Sequence, residues 1–193
     1  MTIPGLVAWS EATAERLLSP LGRRWEHVRQ VAALADLVGA AFAADHGTLV
    51  AAAYLHDVGY APSLALEGFH PLDGARFVRD QGHERLARLV AHHSGARFEA
   101  KLRGYGDYLD EFPFEDSDLD RALTYCDLTT GPRGTRLTLE QRVKEIMDRY
   151  GSGHVTPRAI LQGVPDFERA VSETERLVEH AGVVINGSQA LSR

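Results

Sequence analysis

The chain is short of cysteine, of cationic excess and of long apolar runs, and each shortage removes a class of protein. One cysteine, Cys126, stands in 193 residues. No intrachain disulfide can form, and a reducing, cytoplasmic setting is the expected localisation. Acidic residues outnumber basic ones, 27 to 21, for a formal net charge of −6. General nucleic-acid binders draw their affinity from clustered Lys and Arg, so a nucleic-acid polymer is not an expected partner. No run approaches the roughly 18 apolar residues of a membrane helix. Met1 to Trp9 is too short and too interrupted by polar residues for a signal peptide, so no membrane association is expected. Internal repeats, low-complexity segments and paired alternating strand patterns are also missing. The fold therefore reads as all-α, a compact helical bundle.

What is present is a sizeable apolar fraction, 44%, enough for one domain with a proper core. Nine histidines accompany it, and their placement matters more than their number. The most informative stretch is Tyr54-Leu55-His56-Asp57-Val58-Gly59-Tyr60. An Ala-rich apolar run from Leu49 favours helix, and Gly59 stops it. Leu49, Ala52 and Ala53 lie seven, four and three residues before His56, so the histidine falls on the apolar stripe. Asp57 follows at the helix C-terminus, where the dipole disfavours a negative charge. A half-buried carboxylate there needs a cation, and a metal ion is the simplest one. Taken alone, the dipeptide is weak evidence for a metal, and a hydrogen-bonded core histidine beside a capping aspartate is the commoner reading.

Along the chain, residues 1–9 read as an irregular lead. Ser10 caps a first helix that ends before Pro20. A long helix is expected from about Leu21 to Ala44, its stripe formed by Val28, Val31, Ala32, Leu34, Ala35 and Val38, with His27 facing inward. Thr48 reads as the N-cap of the helix ending at His56. A loop over 58–69 leads to a helix from His70 to about Asp80, with Pro71 in its first turn. Another spans Glu84 to His93, with His93 on its stripe and His92 on the flank. A short helix near Ala96–Leu102 precedes a loop. Ser117 or Asp116 caps the next helix, where Leu119, Leu123 and Cys126 recur and Asp127 sits beside the apolar face. After a break at Thr129 to Gly134 come helices at Leu139–Tyr150, Pro157–Leu161 and Pro165 to about His180. Val183-Val184-Ile185 is strand-like without a partner, and Asn186 onward reads as frayed. The core is expected over about 20–150, with helices over 154–181 packed on it and a tail over 182–193.

Four polar side chains thus share one property: His27, His56, Asp57 and Asp127 lie on or beside buried stripes of separate helices. Two imidazoles and two carboxylates suit Mn, Fe, Co, Ni, Zn or Mg. They also suit Lewis-acid work on a bound water. His70 and either His92 or His93 could add a second ion, with Asp57 as bridge because a carboxylate has two oxygens to share. Cys126 has no evident base and reads as core. His46, His83, His154 and His180 read as surface or capping residues.

In order and approximate spacing, His27, the His56-Asp57 pair and Asp127 resemble the HD-domain superfamily of metal-dependent phosphohydrolases. The resemblance covers roughly residues 20–150. "FHPLDGARF", carrying His70, and "VAHHSG", carrying His92 and His93, fit as well. The resemblance implies that His27, His56, Asp57 and Asp127 hold a first divalent metal. It implies that Asp57 bridges to a second, held by His70 and His92. Asp57 would also orient the attacking water. His93 is left as a further ligand, a substrate contact or a core residue. Arg133 matches an arginine of HD-type diadenosine tetraphosphate hydrolases and could hold a phosphate. Many such hydrolases carry a lysine shortly after the HD aspartate, where this chain has Tyr60. The implied activity is hydrolysis of a phosphate ester or anhydride on a small phosphorylated substrate, a nucleotide by analogy. The same ligands would serve a di-iron oxygenase of this fold, and a non-catalytic metal or ligand sensor is the third reading. A homodimer through the helix from Leu139 is left open.

Overall fold

The computed structural model describes residues 3–185. Among these residues ten α-helices follow in order: α1 Ile3–Leu18, α2 Arg23–Gly39, α3 His46–Leu55, α4 His70–Asp80, α5 Glu84–His92, α6 Ala96–Arg103, α7 Gly106–Leu109, α8 Asp118–Leu128, α9 Leu139–Tyr150 and α10 Val155–His180. Among the described residues there is no strand; one isolated antiparallel bridge pairs Thr130 with Arg136. The fold is all-α.

The core gathers where the apolar stripes meet. Val28, Val31, Ala35 and Val38 of α2 lie against Leu49 to Ala53 and Leu55 of α3, beside Leu72, Leu89 and Leu123 from α4, α5 and α8, all fully or nearly fully buried. A smaller cluster, Leu128, Ile146, Ile160 and Phe167, joins the end of α8 to α9 and α10. Capping follows the sequence closely in two places. Ser117 accepts from the Asp120 amide, and Thr138 and Gln141 form a reciprocal capping box on α9.

Four departures from the sequence reading have physical causes. The expected irregular lead is helical from residue 3 on: α1 runs from Ile3, and Ser10 is buried in mid-helix instead of capping. Ser10, Thr13, Ala14, Leu17 and Leu18 form one buried stripe, so packing on α3 overrides the cap signal. The long second helix ends at Gly39. A 3₁₀ stretch, Ala40–Asp45, with Ala43 at φ 43°, turns the chain so that α3 starts at His46, two residues before Thr48. The apolar stretch Arg23–Tyr60 has the length and composition of a spanning segment, yet that turn folds it into two helices packed on each other. At 1.5 Å per residue neither reaches across a hydrocarbon layer of about 30 Å.

The third departure is at Pro165. The two expected helices, Pro157–Leu161 and Pro165–His180, are one continuous α10. Proline removes one backbone donor and crowds the preceding turn. Here Leu161 and Pro165 both face solvent, while Ile160, Gly163, Phe167, Ala170, Thr174 and Val178 keep an unbroken buried stripe. Water can take the freed carbonyl, and packing holds the helix together. Finally, Val183 to Ile185 form no strand; Val183 and Ile185 rest partly buried against the main core. The expected frayed segment from Asn186 lies outside the described residues.

Candidate metal centre

Five elements converge on one point. His27 comes from α2, His56 and Asp57 from the end of α3, His70 from the start of α4, His93 from the turn after α5, and Asp127 from the last turn of α8. Asp57 is 3% exposed and His56 fully buried.

The histidine protons are fixed by chemistry. Nδ1 of His27 lies 3.1 Å from the Gly131 carbonyl, Nδ1 of His56 2.7 Å from Ala53 O, and Nδ1 of His93 2.6 Å from Val90 O. A carbonyl oxygen only accepts, so Nδ1 donates on all three rings. In the neutral ring Nε2 then offers a lone pair. These are the tautomer and orientation that metal-binding histidines need. His56 Nε2 lies 3.3 Å from Asp57 Oδ2, misaligned for a hydrogen bond, and so has no hydrogen-bond partner although it is buried. A buried polar nitrogen without a partner costs about 1–3 kcal/mol, and a positive charge between His56 and Asp57, a metal ion or a proton, would offset that cost.

Asp57 faces two sets. Its Oδ2 lies toward His56 and 2.5 Å from Arg24 Nη1; its Oδ1 is 3.4 Å from His70 Nε2 and 3.9 Å from His93 Nε2. Donor atoms of His27, His56 and Asp57 lie within 4.8 Å of one another, and so do those of Asp57, His70 and His93. Asp127 closes the first set, with Oδ1 at 2.9 Å from His27 Nε2 and 3.9 Å from His56 Nε2. Ser94 Oγ donates to Asp127 Oδ2.

The electrostatics fit a site built for cations. Burial alone would raise the Asp57 carboxyl, but Arg24 and His56 outweigh it and hold it well below the usual carboxylate range. Burial is likewise overcome at Asp127, by the His27 hydrogen bond and the His56 charge. Burial would lower His56, yet Asp57 and Asp127 raise it to about 9. Without metal, a proton on His56 stands in for part of the missing positive charge. Burial pushes His70 and His93 down, helped at each by the neighbouring histidines.

Two expected site residues lie elsewhere. His92 does not turn toward Asp57: its Nε2 is 2.6 Å from the Phe112 carbonyl, and its ring stands edge-on to Phe114. The cause is the turn that follows α5, where His93 leaves the helix (ψ 145°) and Ser94 and Gly95 adopt left-handed φ of 49° and 67°. That turn carries the His93 ring inward and leaves His92 outside. Arg133 is exposed and does not line the cleft above the cluster. In the same segment Gly131 matters instead, because its carbonyl anchors His27. Arg136 braces this segment through Thr129 Oγ1 and the Tyr125 hydroxyl, at 2.5 and 3.1 Å.

The missed residue nearest the cluster is Arg24. Its guanidinium lies on Asp57 and 3.9 Å over the Tyr60 ring, which stacks on His70 at 3.9 Å. Arg24 thus brings a cation to the Asp57 side of the cluster. Its three-residue spacing from His27 placed both on one helix face and was the available signal. Gly59 sets the Asp57 turn against α4: a Cβ there would lie 2.0 Å from His70 O, so only glycine allows that approach. Cys126 is buried, which pushes its thiol up and leaves it inert. His154 caps α10 by accepting from the Thr156 amide.

The cleft above the cluster encloses about 700 Å³, its open mouth included. A family model for the HD domain matches residues 24–152, two thirds of the chain. The chain belongs to the HD-domain family, whose superfamily is that of metal-dependent phosphohydrolases. Searches of curated proteins and of solved structures return no match.

Proposed function

We propose that the protein is a metal-dependent phosphohydrolase that cleaves a phosphate ester or anhydride, with a nucleotide as the substrate class. The observation that carries this reading is the shared carboxylate. Asp57 presents one oxygen to each of two imidazole sets, the arrangement that suits a bridge between two divalent ions. In this reading His27, His56, Asp57 and Asp127 hold the first ion. Asp57, His70 and His93 hold the second, with His93 in the place expected for His92. The mixed nitrogen and oxygen donors suit Mn, Fe, Co, Ni, Zn or Mg.

A divalent ion, when bound, supplies a Lewis acid for the phosphoryl oxygens and acidifies a water. The chain's own residues do the positioning. The three Nδ1–H bonds to backbone carbonyls hold the rings in register. Ser94 fixes the second oxygen of Asp127. Both carboxylates stay ionised far into acid, so they remain available as ligands. Arg24, not Arg133, is the guanidinium placed to meet phosphoryl oxygens. Tyr60 stacks on His70 and limits its rotation.

The test is elemental analysis of protein purified without chelator, beside Asp57→Ala, with phosphate release measured over a nucleotide panel. The expected result is two ions per chain in the wild type, loss of both in the variant, and phosphate release by the wild type alone. No metal in either protein, and none taken up on addition, overturns the proposal. Iron together with oxygen consumption and no phosphate release would move the assignment to an oxygenase.

A further inference from the structure

The cleft does not end at the metal cluster. Its opposite wall comes from α9 and α10, and it carries charge that the chemistry above leaves unused. Arg142 is 6% exposed, rare for an arginine. Its Nη1 pairs with Glu145, but its buried Nε has no partner. Arg149, two helical turns on and so on the same side of α9, also reaches Glu145, at 3.3 Å from Oε1. One carboxylate between two guanidiniums leaves an excess positive charge. Glu99 of α6, which also lines the cleft, is already paired with Arg103 at 2.7 Å.

Both arginines line the cleft that holds Asp57, His70, His93 and Asp127, and both line the adjoining hollow beside Arg24 and His27. Around them Ile146, Ile160 and Phe167 form an apolar surface. A planar guanidinium with a free N–H is suited to a phosphate, which it can grip through two parallel bonds. An unmet buried donor costs about 1–3 kcal/mol, which an anionic acceptor would offset.

We propose that Arg142 and Arg149 form a second anion subsite. It holds a phosphate group of the substrate other than the one being cleaved. The substrate is then a phosphate ester or anhydride with at least two phosphate groups, its organic part lying on Ile146, Ile160 and Phe167. This rests on the reading that the cleaved phosphate sits at Asp57.

Binding of inorganic tripolyphosphate, followed by calorimetry, tests the subsite. The full chain is titrated as purified with its metal, and again after chelation. Arg149→Gln, at an exposed position, is expected to weaken binding at least tenfold in both states. Arg142→Lys keeps the charge but loses the fork, and is expected to weaken it severalfold with unchanged circular dichroism. Lys144→Gln, whose side chain is 75% exposed and paired with Asp148, serves as the control for general charge and is expected to have no effect. Unchanged binding in both arginine variants overturns the proposal and leaves Arg142, Glu145 and Arg149 as helix ion pairs. Equal losses in Lys144→Gln and Arg149→Gln overturn it as well. The chelated measurement does not depend on the metal, so failure of the hydrolase reading, seen as absent metal or absent turnover, stays separate from failure here.

Discussion

The two ends of the cleft are built on opposite plans. At the Asp57 end, polar groups are buried in the main core and nearly every one is tied. Three imidazoles donate to backbone carbonyls, Asp127 accepts from Ser94, and Asp57 lies against Arg24. The atoms left over are the ones that point at one another. At the α9–α10 end the apolar cluster is small and two arginines share one glutamate. The first plan holds a fixed geometry, which a metal site requires because ligand distances tolerate little error. The second offers charge on an apolar wall, which suits recognition of a substrate's remote part. Binding energy gathered there can support the chemistry at the other end.

This contrast can be broken or sharpened by substitution. The largest effect is expected from His56→Ala, which removes the fully buried ring with the unpartnered nitrogen. Metal affinity should fall by more than about 100-fold, beyond the loss seen for supporting residues, and turnover should fall to background. Elemental analysis and phosphate release measure this. Retained tripolyphosphate binding in that variant would show the two ends to be separable. Next comes packing. Leu123→Ala, one turn before Asp127 and fully buried, should cost about 2–5 kcal/mol in denaturant unfolding. Ile160→Ala on the partly open wall, 9% exposed, should fall at the low end of that range. Equal costs would argue that the wall is as tightly built as the core.

The pH dependence of the metal-free protein comes third. The His56 pKa is raised from its ordinary 6.5 to about 9. Its contribution is therefore fully present below about pH 6.5 and is lost as pH rises through about 9, by as much as roughly 3 kcal/mol. Asp57 and Asp127 are shifted the other way. Their contribution is present above about pH 4 and is lost as pH falls below the usual carboxylate range. Melting temperatures of chelated protein should thus decline from pH 6.5 to 9.5, and added metal should flatten that decline because it replaces the proton. A flat profile without metal would contradict the shared charge at Asp57. The smallest effect is expected for His92→Asn. Loss of the bond to Phe112 O should cost about 1 kcal/mol and leave the metal count unchanged, whereas His93→Asn should remove one ion. Metal loss in His92→Asn would restore the assignment read from the sequence.

Much of this was legible in residue order. The 3.6-residue stripes of α2, α3 and α8 bring His27, His56 and Asp127 inward whatever the details of packing. Arg142 was readable by the same rule and was overlooked: Leu139, Arg142, Val143 and Ile146 recur at three and four, so a charge stands on an apolar stripe. The stripe of α5 pointed to His93 and put His92 on the flank; it was the resemblance that implied His92. The two differ through the left-handed turn at Ser94 and Gly95, and a non-glycine residue at positive φ is held by its surroundings, not by its own preference. The same holds for the unbroken α10, where a proline that reads as a stop sits on the solvent face of a helix held by its buried stripe.

By itself, then, the sequence determined the all-α class, the capped starts of α8 and α9, the positions that face inward and the acid and imidazole chemistry those positions carry. These follow from local periodicity and from hydrogen-bonding groups a few residues apart. The tertiary structure alone decided that His92 turns to Phe112 and the His93 ring meets Asp57, that Gly131 anchors His27, and that Arg24 lies on Asp57 while Arg133 faces solvent. Each of these depends on contacts between segments distant in the chain, and side-chain direction at a turn is set by what packs against it.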